Sequence, residues 1–370
     1  MAGIYIHIPF CKKRCLYCDF FSSTDTKEKI VYVAALCREL ADRKDYLQAQ
    51  AIETVYFGGG TPSLLQADNF EKIFDTLRCY YGLDSPTIEV TLEANPDDIN
   101  TEYLQSIEHL PFNRISLGIQ SFDEKELQFL NRRHDASSAV SAVRLLQKAG
   151  FDNISIDLMY GLPGQKTETW AANLRQAIEL NIQHISAYHL IYEEGSPLYS
   201  LLEQGLTTPV DEETSVQLFE MLIDTLQDAG FEQYEIANFA KPGYHSRHNT
   251  AYWTGAHYLG VGASAHSYNG ISRQWNKRLT GAEYLSQGIE QEIIDTKTAY
   301  NDFVITRLRM MEGIDLRELL VVFGAKQKTY CLKQAQKYLD GKLLEISNEQ
   351  LKLTRKGIFV SDGIMRELLA

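Results

Sequence analysis

A chain of 370 residues, 44% hydrophobic and 23% charged, has the make-up of a folded globular protein and excludes both a disordered chain and a mini-protein. With 36 Lys and Arg against 49 Asp and Glu the net charge is −13, which argues against broad nucleic-acid binding, because neutralising phosphates needs a positive surface. No run of 18 apolar residues occurs, so no transmembrane helix is expected, although transient association with a membrane stays open.

The apolar start of the chain carries Lys12 and Lys13 after its apolar part, the reverse of a signal peptide, and a cytoplasmic protein is expected. Short β-branched runs then alternate with amphipathic stretches. Strands are predicted at residues 4–8, 54–57, 88–93, 115–120, 154–159 and 185–191, and helices at 28–43, 69–80, 101–108, 138–149 and 168–180. Such alternation implies a parallel sheet with right-handed crossovers. Six βα units fall two short of a closed eight-stranded barrel, so the expected α/β fold is an open partial (βα)6 barrel. Chemistry in these folds lies beyond the C-terminal ends of the strands. Those ends carry Pro9-Phe10-Cys11, Gly58-Gly59-Gly60-Thr61-Pro62, Glu93-Ala94-Asn95-Pro96, Gln120-Ser121-Phe122, Asp157 with Gly161-Leu162-Pro163-Gly164, and Tyr192-Glu193-Glu194-Gly195.

A further helix is predicted at 213–229, after which the texture changes. Between Arg247 and Arg273 there is no Asp, Glu, Lys or Arg, while Tyr252, Trp253, Tyr258, Tyr268, three histidines and several glycines crowd together. This reads as a packed loop lining a pocket. From about Tyr300 three helices precede a hairpin-like pair around Asn348, a small helical, winged-helix-like domain. Its residues 325–358 hold eight Lys or Arg against three Asp or Glu, a solvated basic face or a dock for acidic partners. The expected domains are a barrel at 1–235, a pocket-lining extension at 236–299 and the C-terminal helical domain at 300–370.

Of six cysteines, Cys37, Cys79 and Cys331 sit singly in apolar-periodic segments and read as buried small residues. Cys11, Cys15 and Cys18 crowd together, and three soft thiolates at these spacings can serve one metal centre. A zinc site would need His7 or Asp19 as a fourth ligand. An iron–sulfur cubane held by three Cys would leave one iron open to a chelating small molecule.

Cys11-Lys12-Lys13-Arg14-Cys15-Leu16-Tyr17-Cys18 resembles the CxxxCxxC signature of radical S-adenosylmethionine proteins. With Tyr5-Ile6-His7-Ile8-Pro9-Phe10-Cys11 and Ser155-Ile156-Asp157-Leu158-Met159-Tyr160-Gly161-Leu162-Pro163, the chain resembles the oxygen-independent coproporphyrinogen III oxidase family, and over its whole length the HemW-type haem-chaperone branch. The resemblance implies a [4Fe-4S] cluster on Cys11, Cys15 and Cys18, with S-adenosylmethionine on the fourth iron. Tyr5, Tyr17, Gly59, Gly60, Thr61, Glu93, Gln120, Arg132, Asp157 and Ile191 match cofactor-contact positions. Glu93 and Asp157 suit ribose or ammonium hydrogen bonds, and Arg132 suits the methionine carboxylate.

Two features depart from the oxidase pattern. That pattern continues with Gly and a fourth Cys where this chain has Asp19 and Phe20, and Tyr5 stands almost at the start, without the extension the oxidase places over its substrate. Instead His248-Asn249-Thr250-Ala251-Tyr252-Trp253 resembles the HNxxYW motif of the haem-chaperone branch. The resemblance implies haem binding, with His248 as axial ligand, Arg247, Arg273, Lys277 and Arg278 near the propionates, and haem-acceptor proteins as partners. His245, His257 and His266 compete for the ligand role. No coproporphyrinogen oxidase activity is expected. The alternative is a radical enzyme acting on a tetrapyrrole through a 5′-deoxyadenosyl radical.

Overall fold

β1 (Ala2–Ile8) sets the pattern of the sheet: Ile4, Ile6 and Ile8 are fully buried in the helix-side core, while Gly3, Tyr5 and His7 line the opposite, inner face. In the computed structural model, which describes residues 2–83, 85–279, 283–286 and 288–370, this strand is followed by α1 (Lys29–Asp42), β2 (Ile52–Gly59), α2 (Ala67–Tyr81), β3 (Glu89–Ala94), α3 (Thr101–Ile107) and β4 (Arg114–Gln120). Then come α4 (Glu124–Phe129), α5 (Ala136–Lys148), β5 (Ile154–Tyr160), α6 (Thr167–Glu179) and β6 (His184–His189). The strands pair in parallel in chain order from β1 to β6, and the expected six-unit partial barrel is what the chain forms. Phe57, Phe70, Phe74 and Phe112 lock β2 to α2 with centroids 5.1 to 5.4 Å apart, mostly edge to face, a geometry favourable beyond the area it buries.

β6 does not return to β1. After α7 (Pro197–Glu203) and α8 (Glu212–Asp228), the short β7 (Glu232–Gln233) and β8 (Asn238–Ala240) cover its free edge, β8 running antiparallel to β6. The charge-free stretch is not a loop, which corrects the sequence expectation. It forms nearly all of α9 (Arg247–Trp253), then β9 (His257–Val261) and β10 (His266–Tyr268), and ends on the first residue of β11 (Ser272–Asn276); after α10 (Glu283–Ser286) comes β12 (Ile289–Ile293). β9 runs parallel to β1 as a seventh parallel strand, and β10 to β12 extend the sheet antiparallel. The reason lies in the glycines: a Cβ on Gly260 would stand 2.0 Å from the His266 carbonyl oxygen, so only glycine lets the next strand fold back so closely.

The last region contains α11 (Thr296–Arg309), β13 (Ile314–Asp315), α12 (Leu316–Asp340), β14 (Leu344–Ser347), β15 (Gln350–Leu353), α13 (Arg355–Ile358) and α14 (Ser361–Leu368). α12 is broken at Gly324, so three helices precede the hairpin as expected. Asn348 and Glu349 both take left-handed φ at its turn, the conformation that suits a two-residue hairpin. Among the cysteines outside the cluster motif only Cys331 is buried; Cys37 is half-buried and Cys79 exposed, because each lies at the flank of its helix and not on its apolar stripe.

Candidate functional site

The three-cysteine loop leaves β1 and closes on itself: Cys11 N–H donates to the Ser23 carbonyl at 2.9 Å and Ser23 N–H to the Pro9 carbonyl at 2.6 Å. Its far side is seated by Leu16 N–H on the Leu130 carbonyl, by Asn131 Nδ2 on the Arg14 carbonyl, and by Leu198 N–H on the Leu16 carbonyl. Lys12 Nζ pairs with Asp98 at 2.6 Å, and Asp98 also accepts from Ser63 Oγ. The loop is therefore held over the C-terminal rim from three directions.

Two sulfurs already receive hydrogen bonds. Thr61 Oγ1 donates to Cys11 Sγ at 3.5 Å, and Arg132 NH1 to Cys15 Sγ at 3.2 Å. Burial pushes the thiols of Cys11 and Cys18 up, Cys18 to about 11, so they hold their protons at neutral pH until a metal centre displaces them. Among the described residues no three His, Cys, Asp or Glu side chains close on a single ion. His7 is also spent: Nδ1 accepts from Tyr5 OH at 3.1 Å and Nε2 donates to the Phe21 carbonyl at 3.0 Å. A zinc site completed by His7 therefore does not fit. A cubane, whose irons sit at separate corners, does not require three sulfurs to meet at one point.

The residues matched to S-adenosylmethionine contacts gather around this loop. A Cβ on Gly60 would press to 2.8 Å of the Ile8 carbonyl oxygen and 2.9 Å of that of Phe10, so the Gly-rich turn can pass beneath the cysteine loop only without side chains. Glu93 takes Tyr56 OH at 2.7 Å and Gly59 N–H at 3.1 Å, which aims its carboxylate at the same turn. Gln120 ends β4 with φ of 72°, past a register shift, which turns the end of that strand. Arg132 donates to Asn95 Oδ1 at 2.5 Å and to the Gly118 carbonyl, and its Nε is buried with no partner. An orphaned guanidinium N–H beside the cysteines fits a carboxylate-bearing ligand such as the methionine part of S-adenosylmethionine. Bound there, the cofactor would supply one-electron chemistry at the cluster. Tyr5 lies on the inner face of the barrel and stacks on Tyr56 at 6.1 Å; Tyr17, half-buried, packs with Leu130, Met159 and Leu190. Ile191 is 62% exposed just beyond β6.

Asp157 faces the barrel centre, where burial first and the neighbouring Glu93 second push its carboxyl up to about 7. Sequence reasoning gave no role to Asn95, which joins Thr61 Oγ1 to Arg132, or to Arg114, fully buried with Nε and NH1 unpartnered. Inward parity on their strands was the usable signal for Arg114.

The radical SAM superfamily profile matches residues 5–177, and the HemN C-terminal domain profile residues 294–360. Over 379 residues the chain is 33% identical to the heme chaperone HemW of Mycobacterium tuberculosis H37Rv, covering 99% of this chain and 94% of that protein. The chain belongs to the HemN family of radical SAM proteins, in its HemW group. It is also 31% identical over 395 residues to the mouse mitochondrial radical S-adenosyl methionine domain-containing protein 1, covering 100% and 87%. Coproporphyrinogen III oxidase (HemN) from Escherichia coli superposes with a TM-score of 0.85 over 100% of this chain and 90% of that one at 21% identity, which establishes a common fold.

In this HemW-group chain the HNxxYW segment is α9, and it plugs the barrel at the end opposite the cysteines. Glu89 on β3 accepts the N–H groups of Arg247 and His248 at 3.1 and 3.0 Å, capping the helix with a carboxylate. His248 is 2% exposed, lies stacked 5.0 Å from Tyr56, and uses both nitrogens: Nδ1 with Thr54 Oγ1 at 2.7 Å and Nε2 with Tyr252 OH at 2.9 Å. With α9 seated His248 is packed and no lone pair of its ring faces open space. Two of the flanking cations are also engaged: Arg247 with Glu53 and the Thr87 carbonyl, and Arg273 with Asp302 and Glu292.

Proposed function

We propose that this protein takes up haem and passes it to acceptor proteins in the cytoplasm, with a [4Fe-4S] cluster on Cys11, Cys15 and Cys18 and an exchangeable S-adenosylmethionine held by Tyr5, Tyr17, Gly59, Gly60, Thr61, Glu93, Gln120, Arg132, Asp157 and Ile191. The observation that carries the reading is the end-to-end likeness to a protein called a heme chaperone. The residues after the third cysteine support it: where the oxidase pattern has its fourth thiol this chain has Phe20, 65% exposed, which offers no thiol to substrate or radical. In this reading His248 serves the iron only when α9 leaves its seat and Tyr252 releases Nε2.

The test is an anaerobic haem titration of the cluster-reconstituted protein, followed by transfer to an apo-haemoprotein. Saturable binding and transfer are expected, with no decarboxylation of coproporphyrinogen III. Conversion of coproporphyrinogen to protoporphyrinogen overturns the reading. The cysteine loop and the orphaned Arg132 Nε beside it serve equally a second reading, in which S-adenosylmethionine is cleaved by a radical oxidoreductase acting on a tetrapyrrole. Its mark is substrate-dependent 5′-deoxyadenosine, lost in Cys15→Ala.

A further inference from the structure

A buried carboxylate stands behind the rim, outside the set matched to S-adenosylmethionine. Glu126, on α4, is 8% exposed. Its Oε1 accepts from Gln165 Nε2 at 3.0 Å, and its Oε2 from Ser121 Oγ at 2.5 Å and Asn173 Nδ2 at 3.0 Å. None of these partners is a cation. Neither amide is free to turn round: Asn173 Oδ1 is taken by the Phe122 N–H at 2.8 Å, and Gln165 Oε1 by the Gly161 N–H at 2.8 Å. Only their NH2 ends are left to face Glu126, so position 126 must accept at both oxygens, as a carboxylate does and an amide does not. Burial pushes this carboxyl up, and the donors from Ser121, Gln165 and Asn173 oppose the push.

The donors come from segments that carry the cofactor-matched residues. Ser121 and Phe122 follow Gln120 at the end of β4, Gly161 follows β5, the strand of Asp157, and Asn173 lies on α6 beneath both. On its own helix, Glu126 is one turn from Arg132: Leu130 N–H donates to the Glu126 carbonyl and Arg132 N–H to the Leu127 carbonyl, both at 2.9 Å. Leu130 in turn receives Leu16 N–H from the cysteine loop. A buried ion is costly unless its lone pairs are filled, so these segments are held in the one arrangement that fills them. We infer that Glu126 is a positioning residue for S-adenosylmethionine, its carboxylate tying the Gln120 end of β4, the Arg132 end of α4 and the turn after β5 into one rigid rim. The inference rests on the S-adenosylmethionine site proposed above and names the side chain that shapes it without touching the ligand.

Anaerobic calorimetric titration of the full-length, cluster-reconstituted protein with S-adenosylmethionine tests it for wild type, Glu126→Gln and the double variant Glu126→Gln, Asn173→Asp. Glu126→Gln sets one NH2 group against another and is expected to weaken binding roughly tenfold, with cluster absorbance retained. In the double variant the amide at position 126 donates to the carboxylate at position 173, which still accepts from the Phe122 N–H, and the charge stays in the network. Affinity is then expected to return to within about threefold of wild type, a rescue that depends on the direction of the hydrogen bonds and not on side-chain volume. Should Glu126→Gln fail to fold, the double variant carries the test alone, folding and binding within about threefold of wild type. A side chain that serves stability only would lower the thermal unfolding midpoint in Glu126→Gln and leave the affinity of the folded protein within about threefold, which overturns the inference. A folded double variant that binds roughly tenfold more weakly than wild type overturns it as well. A wild type that holds its cluster and binds no S-adenosylmethionine overturns the site itself.

Discussion

Replacing His248 by alanine tests whether the imidazole packs or waits for a ligand. The ring is 2% exposed, stacks on Tyr56 at 5.0 Å and is hydrogen-bonded at both nitrogens. Two hydrogen bonds are worth about 1 kcal/mol each net, and the stack adds about 1. A ring-sized void and an orphaned Thr54 Oγ1 and Tyr252 OH bring the cost to about 3 to 5 kcal/mol, a large share of a native stability of about 5 to 15. Urea unfolding of the protein without haem, followed by circular dichroism, measures the change. The pH dependence sharpens the test. Burial lowers His248 from 6.5 to about 3, so the unfolded chain takes up this proton before the folded one does, and wild type loses that stability as pH falls from 6.5 toward 3. The variant has no such proton to take up, so the gap between the two should narrow with acid. A loss below about 1 kcal/mol at pH 7, or a gap constant with pH, would refute the packing account.

Three further outcomes follow from the geometry. Arg132→Gln should weaken S-adenosylmethionine roughly tenfold to a hundredfold by calorimetry, as expected for a lost charge-assisted pair, while cluster absorbance is retained; an unchanged affinity removes Arg132 from the site. Asp157, raised to about 7 by burial, keeps its proton in the folded chain to higher pH than in the unfolded chain, so its contribution falls as pH rises from about 4 to 7; Asp157→Asn should gain on wild type across that window by up to about 4 kcal/mol in urea unfolding. Gly260→Ala forces a Cβ to 2.0 Å of the His266 carbonyl oxygen and should cost about 3 kcal/mol or more, measured by thermal unfolding, because backbone and not a movable side chain stands in the way.

The parallel strands were legible because each is a β-branched run between helices of clear 3.6-residue period, and the predicted bounds fall within a few residues of the observed ones. β9 and β10 were not, since Gly260 and Gly262 interrupt the alternation and aromatic, uncharged strands on an extended sheet carry no solvent-facing charge to mark one face. The cysteine loop was legible from its spacing alone, and Arg132 from the resemblance. The environment of His248 was not, because Thr54 and Tyr56 lie about 190 residues away and only the crossing of α9 under β1 and β2 brings them to the ring. The ion pairs of Arg247 and Arg273 were not legible for the same reason: their acidic partners are neighbours in space and not in sequence.

The pairing of β9 with β1 governs how the molecule can be made. Ala2 lies opposite His257 and Ile6 opposite Val261, so the strand that leads into the cysteine loop keeps one open edge until about 250 residues have followed it. Contacts this distant in the chain are slow to form, and an unpaired parallel strand is open to the wrong neighbour meanwhile. During synthesis the cysteines emerge well before β9 and stand on a half-finished sheet until it follows. Iron delivered early would meet a loop whose neighbouring strand has a single partner. Cluster assembly and completion of the sheet are thus coupled in time, and mutations confined to β9, which pairs with Ala2–Ile6 and not with the cysteine loop, should lower iron content in the purified protein.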